Sequence, residues 1–464
     1  MRNEKEFNTS DVQGKDNYVL HPWEYLQFSG KYDRPVIVKS DGIYLFDSSG
    51  RKLIDGPGGM WNINLGHNNK EIIEAITKQA SKMVYASPWT EANIPASELA
   101  YELEKISPPG FSRTFFTTGG STAVDSALRF IMFFNNYLGR PNKKHIISRH
   151  DAYHGSTFLS ASCSGKERDR NNFDFYTNYV HHISSPNPYK KSENMNDEEF
   201  CDFLIEELES KIISIGKDNV AAFIAEPVLG SGGVIVPPKG YNRRCGEVCK
   251  KYDIIYIADE TVTAFGRLGA FFASDTICKS DPDIITCAKG ITSGYIPLGA
   301  VLISDRIFEK VSGEKAHKAI FANGFTNSGH PLAAAAALKT IEIIKRDKIL
   351  EHVQEVGSYF QKRMHELREF PIVGDVRGMR LMACIETRIG NKKNKTLEED
   401  LEIGKIIDQH ATKLGLVVRP YLGLCVLSPP LIIQKKQIDD IISILKKAIK
   451  LTMSDLREQG IWKD

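Results

Sequence analysis

Lys289 lies in Cys287-Ala288-Lys289-Gly290-Ile291-Thr292-Ser293-Gly294-Tyr295, and an acidic pair, Asp259-Glu260, closes the apolar run Ile254-Ile255-Tyr256-Ile257-Ala258. A lysine flanked by small residues at a strand end can be desolvated. Its pKa then falls, and the neutral amine becomes a nucleophile toward aldehydes. A carboxylate on a neighbouring strand could hold the ring nitrogen of a cofactor protonated. Each residue alone is ordinary, since most lysines are solvated and an Asp after a strand is commonly a turn or cap. Their combination suggests an imine-forming lysine beside a buried carboxylate.

Three more junctions bear on chemistry. Phe115-Phe116-Thr117-Thr118-Gly119-Gly120-Ser121-Thr122-Ala123 runs from a strand through glycines into a helix start. Free backbone N–H groups and the helix dipole suit a phosphate there, although a plain N-cap by Ser121 fits the same residues. No Lys-Ser/Thr follows as in a P-loop, which disfavours ATP. Gly230-Ser231-Gly232-Gly233 leads into Val234-Ile235-Val236-Pro237-Pro238 rather than a helix, so it reads as a structural loop and not a dinucleotide turn. His150-Asp151-Ala152-Tyr153-His154-Gly155-Ser156 closes another strand and puts an aromatic and a histidine at the edge where α/β ligands sit; taken alone, a satisfied histidine and a core tyrosine explain it equally.

The elements that must position these residues follow from pattern. Short β-branched or aromatic runs at Arg113 to Thr117, Lys144 to Ser148, Ala221 to Ala225, Ile254 to Ala258, Ile284 to Cys287 and Ala300 to Ile303 alternate with helical stretches. In one of these, Ser121 to Asn135, Ala123, Ala127, Leu128 and Ile131 share a face; Phe200 to Ile213 is another. Such alternation predicts a mostly parallel sheet covered by helices, a large domain at 70–327. Residues 328–464 predict a smaller α+β domain. It begins with an alanine-rich helix after Pro331 and a second helix through Leu350 to Phe370, followed by strands near Val373 to Ile385, Leu416 to Arg419 and Cys425 to Leu431. It ends with an amphipathic helix carrying Ile438, Ile441, Ile442, Leu445 and Ile449 on one side. Residues 1–69 contain a predicted hairpin, Gly42 to Asp47 and Arg51 to Asp55, expected to pack on the smaller domain. Polar stretches at Asn187 to Asp197 and Gly390 to Lys395 read as surface loops.

The bulk numbers narrow the class. The 464 residues are 42% hydrophobic and 25% charged, with 60 basic against 58 acidic side chains, ordinary for a globular small-molecule enzyme and unlike a nucleic-acid binder. Met1 to Asn17 lacks the apolar core of a signal peptide, and no run approaches the roughly 20 apolar residues of a membrane span. Eight scattered cysteines, of which only Cys245 and Cys249 lie close, read as reduced thiols without a zinc site. A cytoplasmic location is expected.

Taken in order, Phe115 to Ser121, Tyr153-His154-Gly155, Glu226-Pro227, Asp259-Glu260 with Phe265-Gly266-Arg267, and Pro282-Asp283-Ile284 leading to Ala288-Lys289-Gly290 form a set. Gly324-Phe325-Thr326-Asn327-Ser328-Gly329-His330-Pro331 and Val418-Arg419-Pro420 complete it. With these motifs the chain resembles, over nearly its whole length, the class III pyridoxal-phosphate aminotransferases of the fold type I group, which includes omega-amino acid and amine transaminases using pyruvate. The resemblance implies a seven-stranded, mostly parallel sheet in the large domain and pyridoxal 5'-phosphate as cofactor. By it, Lys289 forms the imine with the cofactor and later shuttles a proton, and Asp259 pairs with the pyridinium nitrogen. Gly120 and Ser121 hold the phosphate, and Tyr153 stacks on the ring. His154, Glu226 and Thr261 belong to the same cofactor site, and Glu226 either pairs with Arg419 or lines the cavity. Thr326 reaches the phosphate in the neighbouring subunit, which implies a homodimer with shared sites and leaves a tetramer open. Arg419 matches the family's mobile arginine for substrate carboxylates. Trp61 would wall the substrate pocket, with Tyr85 and Trp89 as lesser candidates; core packing explains all three aromatics as well.

Two residues depart from the family pattern. Thr261 replaces the usual Val over the ring face, retaining a methyl group while changing polarity, and Asn327 replaces the usual aromatic after the phosphate-binding threonine. The expected reaction is transfer of an amino group from a terminal amine or omega-amino acid to a small keto acid, pyruvate foremost, by a ping-pong cycle. An aminomutase, a 2-oxoglutarate-dependent enzyme, a nucleotide-binding α/β protein and a silent scaffold are the alternatives. Which amine serves as donor is not legible, because pocket groups discriminate by only about 1 to 3 kcal/mol each.

Overall fold

A computed structural model describes residues 7–313, 318–389 and 402–462; the loop expected at Gly390 to Lys395 lies outside them. The N-terminal strands are β1 (Ile37–Asp41), β2 (Tyr44–Asp47) and β3 (Lys52–Asp55). Seven central strands follow: β4 (Arg113–Thr117), β5 (His145–Arg149), β6 (Val180–Ile183), β7 (Val220–Ala225), β8 (Ile255–Asp259), β9 (Ile284–Cys287) and β10 (Gly299–Ile303). The last group is β11 (Val373–Met379), β12 (Met382–Thr387), β13 (Leu416–Val417), β14 (Arg419–Tyr421) and β15 (Leu424–Leu427).

The central sheet has the order β4-β10-β9-β8-β7-β5-β6. Strands β6, β5, β7, β8 and β9 pair in parallel, and β10 is antiparallel to both β9 and β4, so β4 runs in the common direction. Both faces are covered, which explains why β7 and β8 are buried at every position rather than alternating. On one face Ile146, Ala222, Ile224 and Ile257 pack under Ala123, Ala127, Leu128 and Ile131 of the helix Gly120–Tyr137, the face expected from its spacing. On the other, Ile147, Phe223, Ala225 and Tyr256 pack against the helices Asp197–Ile215 and Tyr241–Lys251.

Beyond the expected strands, the sheet gains β6 as its edge. Its sequence, Val-His-His-Ile, carries no alternation to announce it. The single strand expected at Leu416 to Arg419 is divided. β13 pairs in parallel with β3, while β14 pairs with β15 in a second sheet of order β11-β12-β15-β14. Between them the Val418 N–H leaves both ladders and donates to Asp408 Oδ1. The strand expected to run to Leu431 ends at Leu427, before Pro429-Pro430. The N-terminal hairpin forms as β2 and β3, with β1 added at its edge. The eight cysteines are unpaired thiols. Among the described residues, no helix is long and apolar enough to cross a membrane.

Candidate active site

The carboxyl ends of β4, β5, β7, β8 and β9 lie on one edge of the sheet, where α/β proteins place ligands. Each delivers candidates to a single cavity of about 170 Å³. Gly120 and Ser121 follow β4, Tyr153 and His154 follow β5, Glu226 follows β7, Asp259 ends β8 and Lys289 follows β9; all line it, as does Thr261. Trp61 and Arg419 enter from the other two sheets' side.

Asp259 pairs by register with Thr286 on β9, three residues before Lys289, which is why the carboxylate and the amine meet. Asp259 Oδ2 and His154 Nδ1 are 2.7 Å apart, and Oδ1 accepts from the Thr261 N–H and Thr286 Oγ1, both at 3.1 Å. Burial alone would raise this carboxyl. The hydrogen bond and charge of His154, with the Thr261 bonds, outweigh it and hold Asp259 below the ordinary range. The Lys289 amine is lowered to about 8, first by burial and then by the charge of Arg419, against the pull of Asp259 and Glu226. Lys289 also adopts φ 48°, a left-handed backbone that a non-glycine residue takes only where its surroundings impose it.

Glu260, next to Asp259 in sequence, turns away. Its carboxylate accepts from the Ala273 and Ser274 N–H groups and from both Thr263 and Ser274 hydroxyls, a structural clamp. Glu226 does not pair with Arg419 but accepts from the backbone N–H groups of Tyr153 (3.1 Å) and Gly230 (2.9 Å). Arg267, also in a motif, is fully buried and ties together Asn64, Leu381 and Pro429. The helix Gly120–Tyr137 has Gly119 as N-cap with no capping side chain, so Ser121 does not act as the cap. Its Oγ instead accepts from the Ser156 N–H at 3.0 Å.

Trp61 is 2% exposed. Its ring carries the Lys289 amine at 6.0 Å and the Arg419 guanidinium at 5.3 Å. Tyr85 and Thr326 do not line this cavity; the Tyr85 hydroxyl donates to the Thr326 carbonyl at 2.9 Å on the surface. Trp89 is 92% exposed and also lies apart. Sequence reasoning missed Trp23, whose ring lies 6.0 Å from that of Tyr153, and Ser231, from the loop read as structural. Trp23 stands in an aperiodic N-terminal stretch with no signal of its own. Ser231 could have been found, being the one side chain between two glycines after a strand of the sheet.

Comparison with known proteins agrees with this geometry. The model of the family described as aminotransferase class-III matches residues 28–449. The putrescine–pyruvate aminotransferase of Pseudomonas aeruginosa is 38% identical over 442 residues, 94% of this chain and 95% of that protein. A mitochondrial gamma aminobutyrate transaminase of Solanum lycopersicum is 36% identical over 458 residues, 97% of this chain and 89% of that one. Among solved structures, the omega transaminase from Pseudomonas jessenii in complex with PMP superposes with a TM-score of 0.91 at 33% identity, covering 97% of this chain and 100% of that chain.

Proposed function

Because the chain belongs to the class-III aminotransferases, enzymes that use pyridoxal 5'-phosphate, we propose that it transfers an amino group from a terminal amine or omega-amino acid to pyruvate by a ping-pong cycle. The observation that carries this is the convergence of Lys289, Asp259 and Arg419 on one cavity. The relatives' names include both a diamine and an omega-amino acid as donor, and pyruvate as acceptor.

The residues present fit the cofactor. The uncapped start of the helix at Gly120 and Ser121 offers backbone N–H groups to a phosphate. A Cβ on Gly120 would come 2.8 Å from Thr261 Cγ2, so this approach requires glycine. Tyr153 and the Thr261 methyl would take the two ring faces, and Asp259, kept anionic by His154, would keep the ring nitrogen protonated. Bound there, pyridoxal 5'-phosphate supplies an aldehyde that condenses with amines and a protonated ring that draws electrons from the substrate carbon. Lys289 Nζ, neutral at mildly alkaline pH, acts as the nucleophile that holds the cofactor and, once displaced, moves the proton at the substrate carbon. Arg419 binds the keto acid's carboxylate through its two-pronged guanidinium.

The same reading divides the chain into 1–69, 70–327 and 328–464 and places the enzyme in the cytoplasm as a homodimer. The exposed apolar side chains Val84, Tyr85, Trp89, Ile94 and Ile320 support a partner surface, with Thr326 beside Tyr85 available to a second site. The test is spectroscopic and kinetic. Cofactor-saturated protein is expected to show a band at the violet edge of the visible that Lys289→Ala abolishes, and a donor panel is expected to run with pyruvate. No band would reject the enzyme reading, and dominant use of 2-oxoglutarate would reject the acceptor.

A further inference from the structure

The short strand that carries Arg419, β14, pairs along one side with β15, and a single helix holds both of its ends. Just before the strand, the Val418 N–H donates to Asp408 Oδ1 at 3.2 Å. Just after it, the Leu422 carbonyl accepts from the Gly404 N–H at 3.1 Å. Gly404 and Asp408 are one turn apart on the helix Ile403–Lys413 and so share a face. The fit is close, since a Cβ on Gly404 would stand 2.6 Å from the Leu422 carbonyl oxygen and 2.4 Å from that of Leu424. Val418 is 2% exposed, and without Asp408 its N–H would be buried with no acceptor.

Asp408 makes no ion pair among the described residues; its other hydrogen bond comes from Thr412 Oγ1, at 3.4 Å. Burial, offset in part by these two bonds, lifts its carboxyl from 3.8 up to about 6. The titratable groups of the elements around it are neutral, engaged or solvated. Cys425 on β15 is a thiol that burial pushes up, Asp455 of the helix Lys435–Glu458 pairs with His410, Glu386 on β12 pairs with Arg377, and Lys413 is exposed. Arg419 lies over Trp61, 5.3 Å from its ring. A carboxylate kept here without a cation costs stability, so its use lies in the chain it holds.

We propose that Asp408 is a positioning residue for Arg419: its ionised carboxylate fixes the start of β14, which holds the guanidinium over Trp61 ready for an acceptor's carboxylate, and protonation of Asp408 loosens that hold. This deepens the transaminase reading and rests on its pairing of Arg419 with the keto acid. An ionised oxygen is a stronger acceptor for the Val418 N–H than a protonated carboxyl is. Because burial raises this acid above its unfolded value, the native state keeps the proton longer; the stability so gained is present below about pH 4 and is lost as pH rises through about 6. Above that, the charge works against the fold and for the site.

Asp408→Asn, which keeps the shape and an acceptor oxygen but cannot ionise, tests this in the cofactor-loaded enzyme. At about pH 8 its KM for pyruvate is expected to exceed that of the unaltered enzyme by about three- to tenfold, and at about pH 5.5 the two should agree within about twofold. KM for a neutral aromatic amine, which offers Arg419 no carboxylate, should stay within about twofold at both. Calorimetry with propionate, an unreactive carboxylate, should show the same pH-dependent gap without turnover. Urea unfolding adds a readout that a merely structural role would not move: between about pH 5 and 8 the variant should gain about tenfold in its folding constant relative to the unaltered protein, while its site weakens. Asp408→Ala, which leaves the Val418 N–H without an acceptor, should raise KM for pyruvate at both pH values. A gap that does not change with pH, one equally large for the neutral amine, an unchanged KM in Asp408→Ala, or propionate affinities alike in the two proteins would overturn the role. Absence of turnover with every donor would instead reject the transaminase reading, and the propionate arm would still decide Asp408.

Discussion

The cavity has two walls of different construction. The inner wall, Asp259, His154 and Glu226, sits on strand ends and is at most 4% exposed, with every carboxylate oxygen already hydrogen-bonded. The outer wall, Trp23, Met60 and Arg419, comes from loops and from a short strand of another sheet, and Trp23 and Met60 are 51% and 47% exposed. Side chains locked by a packed sheet can hold a reactive geometry, while loop side chains can be exchanged at little cost to the core. The inner wall should therefore control kcat and the spectrum, and the outer wall KM and the choice of substrate.

The largest separation is expected from Asp259→Asn. An amide cannot hold the ring nitrogen protonated, so kcat should fall by about 100-fold or more with KM little changed. Loss of the carboxylate facing buried His154 should also cost about 1 to 3 kcal/mol, read from urea unfolding of the cofactor-free protein. A KM effect without a kcat effect would erase the distinction between the walls. Arg419→Ala is the counterpart on the other side. It should raise KM for pyruvate by about 10- to 100-fold while changing kcat less, because on the proposed reading the guanidinium binds the acceptor's carboxylate and takes no part in proton transfer.

How far the sequence foretold this difference can be seen residue by residue. Lys289 and Asp259 were legible because each follows or ends a hydrophobic run, and a parallel sheet sends such ends to one edge, whereas Glu226 and the Tyr153-His154 pair were singled out only by the family resemblance. The pairing of Asp259 with His154 was not, since it joins residues 105 positions apart through a register that no local pattern encodes. Trp23 was invisible for the same reason: it stands in a stretch without periodicity and is brought in by tertiary packing. Strand β6 shows the complementary limit. Two histidines in four residues break the alternation, and its place is set by pairing with β5. Arg419 does line the cavity, but the strand expected to carry it is divided, because the chain changes sheets at Val418.

Acidity offers a smaller test of the inner wall. The Lys289 amine, depressed from 10.5 to about 8, reacts with an aldehyde only when neutral. Capture of pyridoxal 5'-phosphate by the cofactor-free protein should thus speed up as pH rises and level off above about 8, instead of climbing on toward 10.5. From pH 7 to the plateau the gain should be about tenfold, measured by stopped-flow absorbance. A rate still rising between pH 9 and 10 would show that the amine is solvated.

The smallest effect belongs to Trp23. Its ring meets Tyr153 at 6.0 Å and 59°, a tilted contact on a side chain half open to solvent. Aromatic pairs of this kind contribute about 0.5 to 1.5 kcal/mol, so Trp23→Ala should raise KM for the donor by about two- to tenfold. Neither kcat nor the violet band should move much, because the indole meets the ring of Tyr153 and makes no contact with Lys289 or Asp259. Trp23→Phe should restore most of the loss. A fall in kcat matching that of Asp259→Asn would place Trp23 with the inner wall, and the division of labour between strand ends and loops would fail at its most exposed member.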